Sequence, residues 1–391
     1  MDITATEFLK KAATTAEHFG FKTVDSYRKQ PICKNCSQKL SHTASAQDRK
    51  LDALHGLLTS GMNTYTDARL HAFEEPVLFY HMEQVPRSGD AALALQVYNV
   101  DKSIAEAILI QTARALVEDL GYENHNVRVN SLGDTDSSTR YIRELTNYLK
   151  KRFDDMPVAA RELMREHVFD ALMHLIEKEH ELAHKSPTPL EYLSDPSRKH
   201  FREIVEYLDM SETPYQIDPR LMGHQHCYSD ALFAIDLLDA EGEVMEDAPL
   251  YIRGGRYSSF LQKHTKQDIA AAGAVLVLKE KKAPARSPKS TRAENPSVYV
   301  VQLGFGPKIK SLLLIDELRQ AGVPVHQNLA SDSLSTQLRD AESRGVKYTV
   351  IIGQKEYVDG TVILRDMEGR NQEHVPMQNL ATKLKRTGAA V

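Results

Sequence analysis

The sequence predicts an α+β core domain, built on an antiparallel sheet with a helical insertion, followed by an α/β domain. Two observations carry this prediction. Paired apolar strands flank a long run of helical pattern at about residues 136–210, and beyond residue 296 short strands alternate with helices. We therefore expect the core at residues 1–278, a linker at 279–296 and the second domain at 297–391.

The composition is typical of a globular protein. The chain has 391 residues, of which 41% are hydrophobic and 26% are charged, so two or three domains are expected. Three cysteines exclude a disulfide framework and favour the reducing cytoplasm. No apolar segment has the length that spans a bilayer. The net charge of −5 argues against a generally basic nucleic-acid coat, but it allows a local basic patch.

The N-terminal segment predicts a helix from Thr4 to Phe19. Thr4 and Glu7 have the spacing of a capping box, apolar residues recur on one face, and Gly20 follows as a C-terminal stop. Residues 21–27 have the pattern of a strand. Residues 30–60 are polar and weakly patterned, so we assign no element there.

The rest of the core combines strand pairs with helices. Strands are predicted at residues 75–86, 91–100, 127–134, 227–239 and 248–255. An amphipathic helix is predicted from Ser103 to Leu120, where Gly121 ends it, and helices dominate about residues 136–210.

The clearest boundary is the segment KEKKAPARSPKSTRAENP at residues 279–296. It holds three prolines, no large apolar residue, and six Lys or Arg against two Glu, hence a net charge of +4. This composition predicts a flexible, solvated linker. Beyond it, strands at 297–304, 323–327, 348–353 and 361–367 alternate with helices, and a helix at 380–386 ends the pattern.

Five segments, in matching order, resemble the histidyl-tRNA synthetase family, a class II aminoacyl-tRNA synthetase group. They are residues 8–27, VRVNSLGDTDSSTRYIRELTNYL at 127–149, residues 188–222, IRGGRYSSF at 252–260, and residues 297–386. The resemblance implies a class II synthetase-like core with a helical insertion and a C-terminal anticodon-binding domain. It also implies a homodimer formed through the N-terminal motif.

Within this resemblance, several positions depart from the family pattern. Gly223 and His226 stand where the family's R-G-L-D-Y-Y segment has its arginine and aspartate, and Glu280 takes the place of the motif 3 arginine. The motif 2 hairpin contains one arginine, Arg87, at its turn. The family's L-R-P-x-x-T segment, which holds the amino acid, is absent between residues 30 and 80.

These departures remove cations that the family's reaction requires. Activating an amino acid on ATP develops charge at the α-phosphate, which positioned cations stabilise. A glycine offers no guanidinium group, and a glutamate repels phosphate. Because each lost donor costs roughly 2.7–4 kcal/mol of transition-state stabilisation, we assign no catalytic residue and expect no aminoacylation.

The retained G-G-R-Y signature, which lines the histidine pocket in the family, predicts a residual ligand pocket. The two glycines are expected to serve a tight turn and close packing of the strand. Ser258 stands where the family has an aspartate. We expect no cofactor, and ATP with Mg²⁺ enters only if the chain is an active ligase. The candidate pocket residues are Tyr228, Arg253, Gly254, Gly255, Arg256 and Tyr257.

Two clusters of cysteine and histidine resemble partial metal sites. Cys33 and Cys36 have C-x-x-C spacing with His42 beyond them, which is half of a structural zinc site, and loop cysteines are the plainer interpretation. His224 and His226 would share one face of a strand, but no carboxylate pattern converges on them. We predict no metal and keep Cys33, Cys36 and His42 as weak candidates.

Basic residues in the C-terminal third predict contacts with RNA. Residues 297–391 carry 12 Lys or Arg against 10 Asp or Glu, and the linker adds positive charge. Such residues supply the salt-dependent attraction for phosphates. A solvated domain without an RNA ligand is the plainer alternative. The candidates are Lys281, Lys282, Arg286, Lys308, Lys310, Arg339, Arg344 and Lys347.

The sequence leaves three functions open. The first is a cytoplasmic, homodimeric histidyl-tRNA synthetase-like protein without ligase activity, which binds tRNA or another RNA or regulates a protein partner, away from membranes. The second is an active ATP-dependent histidine–tRNA ligase with a rearranged ATP site. The third is a dimeric protein-interaction scaffold. The retained C-terminal domain favours the RNA-linked role, since the known regulatory subunit of ATP phosphoribosyltransferase lacks it.

Overall fold

The computed structural model describes residues 3–28, 53–73, 75–85, 87–222, 228–286, 288 and 296–389. Within this part of the chain, the core is built on an eight-stranded sheet and the C-terminal domain on a five-stranded sheet. The predicted architecture, an antiparallel core with a helical insertion and a second α/β domain, is confirmed. None of the described helices is long and apolar enough to cross a membrane.

The core sheet has the strand order β1-β2-β3-β8-β7-β6-β4-β5. The pairs β1–β2 and β4–β5 are parallel, and the pairs between them along the sheet are antiparallel. The strands are β1 (Lys22–Thr23), β2 (Val77–Gln84), β3 (Asp90–Tyr98), β4 (His125–Ser131), β5 (Tyr215–Ile217), β6 (Ala231–Leu237), β7 (Leu250–Arg256) and β8 (Ala271–Lys282).

Helices cover both faces of this sheet. Ten helices occur in the described core: α1 (Ala5–His18), α2 (Val24–Arg28), α3 (Ala53–Asp67), α4 (Ile104–Asp119), α5 (Thr135–Lys150), α6 (Val158–Glu166), α7 (Val168–Glu177), α8 (Glu181–His184), α9 (Asp195–Met210) and α10 (Ser258–Thr265). Helices α1 and α4 pack on one face, and α3 packs on the other. Helices α5 to α9 form the predicted helical insertion. The capping box is confirmed, because Thr4 Oγ1 accepts from the amide of Glu7 at 3.2 Å.

Two sequence predictions in the core need correction. Residues 21–27 are a strand only at β1, and the chain turns into α2 at Val24, where the side-chain oxygens of Thr23 and Ser26 lie 3.0 Å apart in a local cap-like contact. At the other end, β8 continues to Lys282, four residues into the predicted linker. A bulge interrupts the ladder between Leu278 and Lys282, and Glu280 within it has a φ of +59°.

The C-terminal domain is a mixed sheet with helices, as the alternating pattern predicts. Its strand order is β10-β9-β11-β12-β13, with β10, β9 and β11 parallel and β12 and β13 antiparallel. The elements are β9 (Val298–Gln302), α11 (Phe305–Gln320), β10 (Val325–Gln327), α12 (Leu334–Ser343), β11 (Tyr348–Ile352), α13 (Gln354–Asp359), β12 (Thr361–Asp366), β13 (Gln372–Pro376) and α14 (Met377–Arg386). Helix α13 and strand β13 were not predicted from the sequence.

A polar interface between α4 and α11 joins the two domains. Arg319 Nη1 donates to both carboxylate oxygens of Asp119 at 2.6 Å, and its Nε donates to Asp316 at 2.8 Å. Gln111 Nε2 donates to the second oxygen of Asp316 at 3.1 Å. On α1, His18 Nε2 lies 3.1 Å from a backbone carbonyl oxygen of α11. Since charge-assisted hydrogen bonds are directional, this interface fixes how the C-terminal domain sits on the core.

Candidate functional site

The glycine pair of the G-G-R-Y signature lies inside β7, in the middle of the core sheet. A Cβ atom on Gly254 would lie 2.4 Å from the ring of Phe233, and one on Gly255 would lie 2.7 Å from the carbonyl oxygen of Ala231. Both glycines pair with β6 and β8, and neither has a positive φ. Close packing is therefore confirmed as their role, and the expected tight turn is wrong.

Arg256 ends β7 with its guanidinium group on the α4 face of the sheet. The side chain is 5% exposed. Its Nε and Nη2 donate to the two carboxylate oxygens of Glu106 at 2.7 and 2.9 Å. Its Nη1 donates to the carbonyl oxygen of Val100 at 3.0 Å, and Nη2 also reaches that of Lys102 at 3.1 Å. The guanidinium group is thus held by the protein itself in a bidentate pair.

Glu106 is the partner that fixes Arg256. Burial alone would raise the pKa of this carboxyl, but the charges of Arg256 and His200 outweigh burial and lower the pKa to about 2. His200 Nε2 lies 3.0 Å from Glu106 Oε1, and the carboxylate raises the pKa of this histidine against the opposing effect of burial. The result is a buried network of ion pairs that joins α4, α9 and β7.

Tyr257 lies on the opposite face of the sheet and is fully buried. Its hydroxyl donates to Gln96 Oε1 and lies 2.8 Å from the hydroxyl of Tyr98. The ring of Tyr98 stacks on Tyr65 of α3, with ring centroids 3.9 Å apart. The side chains of Arg256 and Tyr257 therefore lie on opposite faces of the sheet, although the two residues are adjacent in the sequence.

Helix α3 lies directly on the sheet beside Tyr257. A Cβ atom on Gly61 of α3 would lie 2.2 Å from Gln96 Nε2, and one on Gly273 of β8 would lie 3.0 Å from the side chain of Leu58. Glycines on both sides allow this close approach. At this point the surface that the signature was expected to offer to a ligand is covered by the protein's own helix.

The two other predicted pocket residues lie at the margins of this region. Tyr228 is partly buried between the apolar cluster under α3 and that of the insertion. Arg253 packs over the ring of Tyr251, with 5.0 Å between guanidinium carbon and ring centroid, and its Nη1 lies 3.6 Å from Asp236. The structure thus gathers the six predicted residues around β7, and nothing in it tests a ligand there.

Several predicted positions lie outside the described residues: Gly223, His224, His226, Cys33, Cys36 and His42. Among the departures that are described, Arg87 in the β2–β3 turn and Glu280 in the β8 bulge are exposed. Ser258 is half-buried, and its Oγ accepts from the amide of Ala271 at 3.0 Å. The described ranges contain no group of three or more His, Cys, Asp or Glu that could hold a metal ion. The absence of a zinc site at Cys33, Cys36 and His42 stays a prediction.

The predicted RNA-binding residues differ in their availability. Lys308 is 4% exposed, and its Nζ lies 2.6 Å from Asp332 Oδ1. Burial lowers the pKa of Lys308. Asp332 also pairs with Lys102 of the core, so Lys308 belongs to a contact between domains. Lys282 donates to a backbone carbonyl oxygen, that of Ser88. Of the others, Arg286, Arg339, Arg344 and Lys347 are exposed, and Lys281 and Lys310 are half-buried.

Arg339 and Arg344 line one groove of about 1130 Å³ between the two domains. Lys22 of β1 lines the same groove from the core side. Sequence reasoning missed Lys22, and also Glu106 and Gln96, because each acts through a partner distant along the chain. A buried glutamate in the apolar pattern of α4 was the available signal for Glu106.

The comparisons with known proteins agree with this architecture. Residues 298–387 match the family described as anticodon binding domain. The chain is similar to the histidine–tRNA ligase of Geobacillus sp. strain WCH70, with 27% identity over 72% of this chain and 66% of the relative. It is also similar to that of Halalkalibacterium halodurans, with 27% identity over 78% of this chain and 70% of the relative. The chain thus spans about two thirds of the length of these relatives.

Solved structures give a parallel observation. The apo histidyl-tRNA synthetase of S. aureus aligns with a TM-score of 0.45 and 17% identity over 83% of this chain and 81% of the other. The chain is similar to histidine–tRNA ligases over most of its length, and its C-terminal part matches the anticodon-binding domain family.

Proposed function

We propose that this protein binds tRNA or a related RNA through its anticodon-binding domain and does not ligate histidine to it. The observation that carries the proposal is the match of the C-terminal domain to the anticodon-binding family, together with Arg339 and Arg344, which both line an open groove. Exposed arginines at a groove supply the phosphate attraction that RNA binding requires. A homodimer in the cytoplasm is part of the same proposal, by analogy with the family.

The packing around β7 supports the loss of ligation. Amino-acid activation needs cations aimed at the α-phosphate of ATP. Arg256, the arginine of the signature, is already paired with Glu106 on the α4 face of the sheet. Helix α3 covers the opposite face, which carries Tyr257. Together with Gly223 and Glu280 at positions where the family has arginines, this arrangement favours an RNA-binding protein over a ligase.

Two measurements on the full chain test the proposal. Histidine-dependent exchange between ATP and pyrophosphate, with Mg²⁺ present, should stay at background, whereas clear exchange would establish the active ligase instead. In parallel, unfractionated tRNA should bind at low salt and dissociate as salt rises. A chain that neither exchanges pyrophosphate nor binds RNA would contradict the proposal and favour the protein-interaction scaffold.

The arginine pair gives the matched variants. Arg339→Glu and Arg344→Glu should each weaken tRNA binding, on the order of tenfold at low salt. Lys385→Glu reverses an equally exposed charge on α14 of the same domain, outside the groove, and should leave binding within about twofold. Equal losses for all three variants would mean that RNA binding reports only the net charge of the domain.

A further inference from the structure

The groove between the domains has a wall from each of them. On the core side, it is lined by β1, α2 and the segment that enters β2, and on the other side by β10, the loop after it and α12. The α4–α11 interface holds these walls in place. A molecule in the groove would therefore touch both domains at once.

Three cations and three carboxylates line the groove, and two of the cations lack an ion pair among the described residues. Three carboxylates line it, but Glu17 accepts a hydrogen bond from the hydroxyl of Tyr80 at 2.6 Å, and Asp340 accepts from Tyr299 and Arg344, both at 2.9 Å. Only Glu75 among them has no such bond among the described residues. On the cationic side, Lys22 and Arg339 form no ion pair with any described residue, and Lys22 Nζ lies 5.5 Å from the centroid of the Tyr27 ring.

Two basic groups at the groove are affected by burial and by Arg344. Burial, reinforced by the neighbouring Arg344, lowers the pKa of Lys22. Burial and the same arginine lower the pKa of His326 to about 4. A bound anion near Arg344 would relieve the repulsion that these groups share.

The groove also offers groups that recognise bases. Phe73 lines it and packs edge-on against Tyr27, with ring centroids 5.8 Å apart. Asn328 and Thr336 lie along the opposite wall, where the neighbouring Gln327 amide is already bonded to the carbonyl oxygen of Phe19 and the amide of Leu329. Phosphate-binding cations combined with an aromatic platform are typical of grooves that hold single-stranded nucleic acid, because only unpaired bases can reach the aromatic ring.

We propose that this groove holds a single-stranded segment of RNA, with phosphates at Lys22, Arg339 and Arg344 and a base against Phe73. The inference rests on the proposed RNA-binding function and adds to it that the core domain supplies half of the site. The core contribution, which Lys22 represents, is what distinguishes this site from one on the anticodon-binding domain alone.

The test measures binding of a fluorescein-labelled single-stranded oligoribonucleotide of about 12 nucleotides, a length within the usual range for such grooves. Lys22→Glu should weaken binding on the order of tenfold at low salt and reduce the slope of log affinity against log salt by about 0.7. Lys22→Gln, which only removes the charge, should give a smaller loss in the same direction. Lys10→Glu, an exposed lysine on α1 outside the groove, is the matched control and should bind like the unchanged chain.

The outcomes separate this inference from the function on which it rests. If Arg339→Glu weakens binding and Lys22→Glu does not, the shared groove is wrong and the proposed function stands. If the unchanged chain binds neither the oligoribonucleotide nor tRNA, both fail. Photo-crosslinking with a 4-thiouridine oligoribonucleotide gives a second readout: crosslinks should fall on both walls, near Phe73 and near His326. Crosslinks confined to the C-terminal domain would overturn the inference even if Lys22→Glu misfolds.

Discussion

The centre of the core sheet and the groove between the domains both contain arginines that sequence reasoning selected, yet the two regions are built in opposite ways. Arg256 lies in the interior and is bound in two places by Glu106. Arg339 is exposed on a groove wall and forms no ion pair with a described residue. The difference teaches that an arginine is available to a ligand only where the protein has not already supplied its anion.

The largest expected effect comes from removing that internal anion. Glu106→Gln leaves the Arg256 guanidinium buried without its counter-charge, which should cost about 3–5 kcal/mol in the free energy of unfolding by urea. Glu206→Gln, an exposed change on α9, is the matched control and should shift stability by less than about 0.5 kcal/mol. A loss below about 1 kcal/mol for Glu106→Gln would break the comparison, because Arg256 would then not depend on this partner.

The dependence of stability on acid pH should also report on the Glu106 carboxylate. The folded state holds the pKa of Glu106 at about 2, below the ordinary 4.5, so its contribution is fully present above pH 4.5 and is lost as the pH falls through about 2. The chain with Glu106→Gln should show a flatter dependence of stability on pH in that window. Identical slopes for the two chains would place the acid-sensitive group elsewhere.

A smaller loss is expected from filling the space at the glycine pair. Gly254→Ala should destabilise the core by about 1–3 kcal/mol, because the new methyl group meets the ring of Phe233 and the carbonyl oxygen of Gly273. Adding Phe233→Leu should recover part of this loss by removing the ring, and the double-mutant cycle measures the coupling. RNA binding by the folded fraction should not change, which would sharpen the separation between the two regions.

The docking of the domains should weaken in mild acid. Burial lowers the pKa of His18 to about 4, so the folded state keeps this ring neutral while the unfolded chain protonates it below its ordinary 6.5. The unfolded state then binds more protons, and stability should fall as the pH drops from about 6.5 toward 4. His18→Gln should flatten this slope, with the remainder due to His326, whose pKa also lies near 4, and to His81 and His125, whose pKa burial also lowers. An unchanged slope would contradict the assignment to His18.

The smallest effect on stability is expected for a substitution in the groove. Arg344→Gln removes an exposed pair with Asp340, four residues earlier on the same helix, and should change the free energy of unfolding by less than about 0.5 kcal/mol. Its RNA affinity should nevertheless fall severalfold at low salt, on the order of threefold or more. A variant that loses stability but keeps its RNA affinity would reverse the comparison.

The sequence predicted the elements whose causes are local. The capping box at Thr4 and Glu7 and the helix from Ser103 needed only neighbouring residues, and both helices form within one or two residues of the expected bounds. The extent of β8 could not be predicted in this way, because Lys282 joins the sheet through pairing with Asp90, which is distant along the chain. Residues of the linker type can extend a strand when a partner strand is present.

The residues of the candidate site could be predicted from the sequence, but the surroundings of their side chains on each sheet face could not. The signature identified Arg256 and Tyr257 correctly as neighbours, but which sheet face each one takes follows from the two-residue period, and what fills that face depends on α3 and α4. The role of Lys22 followed from no local pattern at all. It arises only because β1 and β10, about 300 residues apart along the chain, line the same groove.

The α4–α11 interface also constrains how this protein can be divided. Gln111 on α4 is buried and has its amide on Asp316, while Asp119 receives Arg319 from the other domain. A core released from its C-terminal domain would lose Asp316 and Arg319 as partners of these groups and keep Tyr207 on Gln111 and Thr15 on Asp119. We therefore expect relatives that lack the C-terminal domain to carry different residues at positions 111 and 119. In an alignment, these two positions would then indicate whether a sequence has kept both domains.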